Sequence, residues 1–244
     1  MAMRYAQWKI ASMYLSHKDF RQGPYGPGNV PEVEVNEKTV KVTYTYLMPT
    51  TPTSECKLSY EVFGDGRVKT TLTYEPVKEL GDMPEFGVIF KFNADYNRVE
   101  WYGLGEAETY SDRKKGAKLG IYANKVADNM ARYMVPQECG MHMDTEWVEI
   151  YRDTIQDNSM PSPGKHMLKI CKSGENFHFS CLPYTACEIE NATHQEELPP
   201  ARRTVLCIYG ATRGIGGINS WGADVEPSYH VSAKEDIRYS FIIS

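Results

Sequence analysis

Residue types able to do chemistry cluster in a few short segments of this 244-residue chain. Gly216-Gly217-Ile218-Asn219-Ser220-Trp221-Gly222 sets one large indole among glycines and small polar residues. Glycines leave room for such a ring to stand clear of the backbone. A flat apolar face with one N–H suits stacking on the C–H face of a sugar. The plainer reading is a core tryptophan, since large aromatics dominate cores, and the residues alone favour it. Just upstream, Gly210-Ala211-Thr212-Arg213-Gly214-Ile215-Gly216 follows an apolar run and has the spacing of a dinucleotide-cradling glycine turn. That chemistry needs a helix after the turn, and Gly217 to Gly222 cannot open one. A glycine-rich loop between strands is the better reading.

Pro136-Gln137-Glu138-Cys139-Gly140-Met141-His142 places a carboxylate and an imidazole four residues apart. Metal binding would need a third ligand, so a hydrogen-bonded structural loop is expected. Glu100-Trp101-Tyr102-Gly103 reads as the end of a strand plus an aromatic–glycine turn. Glycosidic hydrolysis needs two carboxylates flanking one bond. Glu138, Asp112 and Glu190 are available, but no spacing pairs them. No nucleophile elbow is present. The six cysteines contain no C-x2-C pair, which argues against zinc. They are expected to be reduced thiols, with Cys171, Cys181 and Cys207 as small core residues. The residues alone therefore suggest a binding surface without complete catalytic machinery.

The elements that must carry these segments are strands. Val40–Leu47, Lys57–Phe63, Val68–Tyr74, Val88–Phe92, Trp147–Tyr151 and Phe177–Cys181 are short runs of strand formers, several alternating with period two. Gly64-Asp65-Gly66 joins the second and third as a hairpin. Thr204–Tyr209 is continuously apolar, as a central strand would be. Helix signals are few. Thr185-Ala186-Cys187-Glu188 has the form of a capping box, with one or two helical turns to follow before Pro199-Pro200. Residues 113–132 read as a connection with at most short helices, and Gly23–Gly28 as a flexible loop. The fold class expected is all-β: an antiparallel sandwich in one domain over 1–244. The net charge of −5 speaks against a nucleic-acid partner. No apolar run is long enough for a membrane span. No secretion signal opens the chain, so a cytoplasmic setting is expected.

Several of these segments, in order, resemble a known family. They are Phe86-Gly87, Val99-Glu100-Trp101-Tyr102-Gly103, Tyr110-Ser111-Asp112-Arg113 and Val135-Pro136-Gln137-Glu138. Phe179-Ser180-Cys181-Leu182-Pro183-Tyr184-Thr185, Glu190–His194, Gly214–Gly217 and Ser220-Trp221-Gly222 complete the set. The set is similar to the C-terminal domain of glycoside hydrolase family 2 β-galactosidases. It is closer still to the separate small subunit of the heterodimeric enzymes of lactic acid bacteria. The resemblance implies a β-supersandwich of the galactose mutarotase type. It implies that the catalytic glutamates, and magnesium and sodium, belong to a barrel on a large catalytic partner subunit. This chain would then carry no catalytic residue, metal ligand or cofactor of its own. It would supply one wall of a galactoside pocket through Trp221, with Gly217, Asn219 and Ser220 supporting the loop. That reverses the core reading of Trp221. The T-D-N-D-type motif of the family's first strands is missing before Met1–Trp8, so the N-terminal strands of the family domain are expected to be absent. Two other functions use the same residues. A stand-alone galactose-binding module would need no partner. A mutarotase-type epimerase would need a histidine acid and a glutamate base, for which Glu138 and His142 are the conceivable pair.

Overall fold

The computed structural model describes residues 6–9, 31–152 and 166–244. The Gly23–Gly28 loop lies outside them. Among the described residues fifteen strands follow one another: β1 Glu32–Val35, β2 Thr39–Met48, β3 Ser54–Phe63, β4 Val68–Glu75, β5 Asp82–Met83, β6 Glu85–Asn93, β7 Arg98–Gly105 and β8 Lys118–Lys125, then β9 Met141–Thr145, β10 Trp147–Arg152, β11 His166–Lys172, β12 Phe177–Leu182, β13 Arg203–Thr212, β14 Val231–Ser232 and β15 Ile237–Ile243. The α-helix α1, Ala186–Asn191, interrupts them. A nine-stranded sheet has the order β1-β2-β3-β4-β15-β11-β10-β7-β8, a four-stranded sheet the order β6-β13-β12-β9, and β5 pairs with β14 as a short ribbon. Every pairing between these strands is antiparallel. The all-β antiparallel sandwich is the architecture the alternating runs predict.

The two large sheets meet through their apolar faces. Val99, Trp101, Val148, Ile150, Ile170 and Phe241 of the large sheet pack on Phe179, Cys181, Leu206 and Ile208 of the small one. Strand β13 is buried on both faces, because Val205, Cys207 and Tyr209 form a second cluster with Tyr110 and Met141 behind the small sheet. This explains why its sequence does not alternate. The Gly64–Gly66 turn closes the β3–β4 hairpin, with Val62 opposite Val68 and Gly66 at φ 88°. Thr185 caps α1 as the sequence pattern requires: the Glu188 amide donates to Thr185 Oγ1 at 3.3 Å, and the Thr185 amide donates to Glu188 Oε2 at 2.8 Å.

Two expectations are corrected. Residues 118–125, within the stretch expected to be a connection with at most short helices, form the edge strand β8. Its good helix formers are overridden by pairing along the whole of β7, a tertiary effect that local propensity does not contain. Trp101 lies in the middle of β7 and not at a turn. All six cysteines are free thiols. Cys181 and Cys207 are core residues, whereas Cys171 is only half-buried.

Candidate functional site

The chain leaves β13 at Thr212 and does not return to a strand until Val231, so residues 213–230 form a long connection at one end of the small sheet. Arg213 begins it, its amide donating to the Pro84 carbonyl at 3.0 Å, and the Gly214 amide donates to that of Tyr229 at 2.9 Å. The Asp112 carboxylate then accepts two successive loop amides, Ile215 at 3.2 Å and Gly216 at 2.8 Å. The approach is so close that a Cβ on Gly214 would stand 2.7 Å from the Asp112 carboxyl carbon. Gly216 and Gly217 take φ of 81° and 82°, a conformation that favours glycine. At the loop tip, Asn219 Oδ1 accepts the amides of Trp221 at 2.9 Å and Ala223 at 3.3 Å, an Asx-type turn.

The outcome for Trp221 is unambiguous. Its side chain belongs to no core and the residue is 92% exposed. The core reading that the residues alone favour is overturned: the ring sits in the turn that Asn219 builds and stays exposed. Asn219 supports the loop as expected. Gly217 supports it through its backbone conformation. Ser220 sits exposed in the same turn. The strand–turn–helix setting of a dinucleotide site does not form, since irregular backbone follows β13.

Behind this loop lies a cavity of ≈ 830 Å³ whose walls include Glu85, Tyr110, Arg113, Tyr133, Glu138 and Gly214–Gly217. The glycine segment is thus shared between the cavity and the stem of the Trp221 loop. Tyr110 Oη donates to Glu138 Oε1 at 3.1 Å. Glu108 accepts the Tyr133 hydroxyl and the Gly140 amide at 2.7 Å. Desolvation by the surrounding protein raises the carboxyls of Glu85 and Glu138 above the ordinary carboxylate range, and the charge of Glu138 adds to the effect on Glu85. Sequence reasoning missed Glu85 and Tyr110 as neighbours of Glu138. They come from β6 and from the connection after β7, both distant in the chain from Glu138, and no local pattern joins them. Of the three carboxylates considered from the sequence, Asp112 is engaged with the loop amides, while Glu138 and Glu190 both line the cavity, Glu190 also pairing with Lys9 at 3.0 Å. Among the described residues, no group of three or more His, Cys, Asp or Glu side chains is placed to hold a metal ion.

Glu138 and His142 do not share a site. His142 enters β9, is 2% exposed, and stacks against Trp101 with ring centroids 4.2 Å apart and against Phe179 at 5.1 Å. The geometry removes the pair on which an epimerase reading relied. Burial lowers the His142 pKa from 6.5 to about 4, opposed to a smaller degree by the Leu104 carbonyl. An unfolded chain protonates this ring near its ordinary value and the folded chain does not. The neutral ring therefore contributes stability that is present above about pH 6.5 and is lost as the pH falls toward 4, on the order of 3 kcal/mol. In His142→Phe, urea titrations between these pH values are expected to show a shallower loss of stability than in the parent. An equally steep loss would mean that the ring is not the source.

The chain matches the family described as beta galactosidase small chain over residues 2–243. It is 44% identical over 205 residues to the beta-galactosidase small subunit of Latilactobacillus sakei, an alignment covering 84% of this chain and 64% of that subunit. It is 36% identical over 216 residues to a beta-galactosidase of Halalkalibacterium halodurans, covering 87% of this chain and 20% of the relative. This chain thus spans less than two thirds of the length of either curated relative. Among solved structures, the galactose 1-epimerase of Lactobacillus acidophilus NCFM superposes with a TM-score of 0.38 at 7% identity, over 88% of this chain and 65% of its own. With the family matched from Ala2 to Ile243, this chain belongs to the β-galactosidase small chain family.

Proposed function

We propose that this chain works as the small-subunit part of a β-galactosidase that hydrolyses terminal β-galactosides such as lactose. Trp221 forms one wall of the sugar pocket. The two catalytic glutamates stand on a large partner subunit, which also holds the magnesium and sodium. Hydrolysis proceeds with retention, through a covalent galactosyl-enzyme on that partner. Gly217, Asn219 and Ser220 hold the indole in place, and this chain contributes no acid, base or nucleophile. The observation that carries the reading is the indole itself. A large apolar ring left 92% exposed on a loop restrained by Asp112 and Asn219 is a surface prepared for a flat partner. A pyranose C–H face, lined up by the family relationship, fits it.

The test is co-expression with a catalytic large subunit of a heterodimeric β-galactosidase. Lactose hydrolysis absent from either chain alone is expected to appear when both are present and to co-purify with the complex. A stable complex that remains inactive would sink the proposal. If calorimetry shows galactose binding to this chain alone, and no complex forms, the stand-alone binding module replaces it.

A further inference from the structure

The cavity behind the glycine loop holds two carboxyl groups that the fold leaves largely unpaired. Glu85 reaches it from the start of β6, and Glu138 from the connection between β8 and β9. They stand close enough for the charge of Glu138 to act on Glu85. Among the described residues, however, no hydrogen bond joins the two, and the Glu85 carboxyl has no hydrogen-bond or ion-pair partner at all. Glu138 accepts one hydrogen bond, on Oε1 from Tyr110 at 3.1 Å. A carboxylate has room for about four.

The neighbouring carboxylates are held differently. Asp112 accepts two loop amides, and Glu108 accepts the Tyr133 hydroxyl and the Gly140 amide. A desolvated carboxyl without partners costs free energy. Its place on a cavity wall points to a partner that the fold does not supply. Glu138 is exposed as a residue, so a solute can reach it.

Donors face the same space. Arg113 lines the cavity and is also exposed. Its guanidinium donates to the Tyr133 hydroxyl at 3.4 Å and stands 3.8 Å from Glu108, which leaves most of its N–H groups open. Burial, with the charge of Glu138 added, favours the protonated form of Glu85, and that form donates as well as accepts. A cationic ligand would satisfy the carboxyls and face Arg113. An anionic one would do the reverse. Hydroxyl groups, each both donor and acceptor, suit both sides. Val135, Pro136 and Ile215 add apolar wall against which C–H groups can pack. At ≈ 830 Å³ the cavity lies within the range of about 300–1,000 Å³ typical of small-molecule sites.

We propose that this cavity is a binding site for a neutral polyhydroxylated molecule of sugar size, whose hydroxyls bridge Glu85 and Glu138 and accept from Arg113. The site does not rest on the role assigned to Trp221, which is not among the residues lining the cavity.

The test titrates the full 15N-labelled chain with galactose and follows the amides of Gly214, Gly216 and Gly217, which line the cavity, by NMR. Saturable shifts are expected. Galactosamine below neutral pH, the same ring with an ammonium, and galacturonate, with a carboxylate, are expected to bind several-fold more weakly. Glu85→Met and Glu138→Leu are each expected to weaken galactose binding about ten-fold or more. The second keeps the test open should the first fail to fold. Trp221→Ala is expected to bind galactose like the parent. An absence of saturable shifts overturns the site. So does a folded variant at either carboxyl that binds galactose like the parent. Galactosamine binding more tightly than galactose would replace the polyol with a cation. Shifts lost in Trp221→Ala but kept in the carboxyl variants would move the sugar to the indole, so that the pocket wall stands and this site falls. Failure of the co-expression test leaves these titrations untouched.

Discussion

Truncating Trp221 to alanine is expected to raise the Michaelis constant of the assembled enzyme for a galactoside about 5- to 30-fold, equivalent to ~1–2 kcal/mol of lost apolar contact. The unfolding of this chain should not change. The two effects separate because the ring is 92% exposed: nothing in the fold rests on it, so its removal leaves no cavity. Trp221→Phe, which keeps a flat apolar face, should recover part of the loss. Initial rates against substrate concentration, together with a urea titration of each variant, decide the matter. An unchanged Michaelis constant would remove Trp221 from the pocket. A large fall in stability would mean that the ring is part of a core after all.

The opposite pattern is expected at the other tryptophan of the matched motifs. Trp101 is fully buried and packs against Tyr122 and Phe179, each at 5.6 Å, and His142 at 4.2 Å. Its Nε1 donates to the Leu104 carbonyl at 3.3 Å. Trp101→Ala should cost ~3–5 kcal/mol, the transfer loss of the ring plus the cavity it leaves between the two sheets. Against a domain stability of about 5–15 kcal/mol, that is enough to lower the urea midpoint severely and leave part of the chain unfolded at 37 °C. Activity would then fall with the folded fraction, and the Michaelis constant of the surviving enzyme would not change. A loss below about 1 kcal/mol would contradict the packing described for β7.

The elements legible in the sequence are those governed by near neighbours. The β3–β4 hairpin follows from Gly64-Asp65-Gly66 between two runs of strand formers. The start of α1 follows from Thr185 and Glu188 three residues apart. The central place of β13 follows from an apolar run too long to have a wet face. Strand β8 was not legible, because its residues mix helix formers such as Lys118, Leu119 and Ala123 with Gly120, and the pairing along β7 that holds them extended lies outside the segment. The pairing of Asp112 with the Gly214–Gly217 loop was not legible either. Those contacts span 103 and 104 residues, and neither segment alone announces the other. In sequence, Asp112 reads as a possible catalytic carboxylate, and in the fold it is an anchor.

The sequence by itself therefore determined the fold class, the order of most strands, the turn chemistry of the Trp221 loop and the family. The first three are carried by period, capping and glycine placement, which act over a few residues; the family is carried by the resemblance of the ordered motifs. The tertiary structure decided what the residues without the resemblance read wrongly: of two tryptophans near glycines, Trp101 is core and Trp221 is surface. Trp101-Tyr102-Gly103 and Trp221-Gly222 look alike locally. One strand is sandwiched between two sheets and one loop projects beyond them. Burial is a property of what lies across the gap, and the residues across the gap from Trp101 and below the Trp221 loop are supplied by distant parts of the chain.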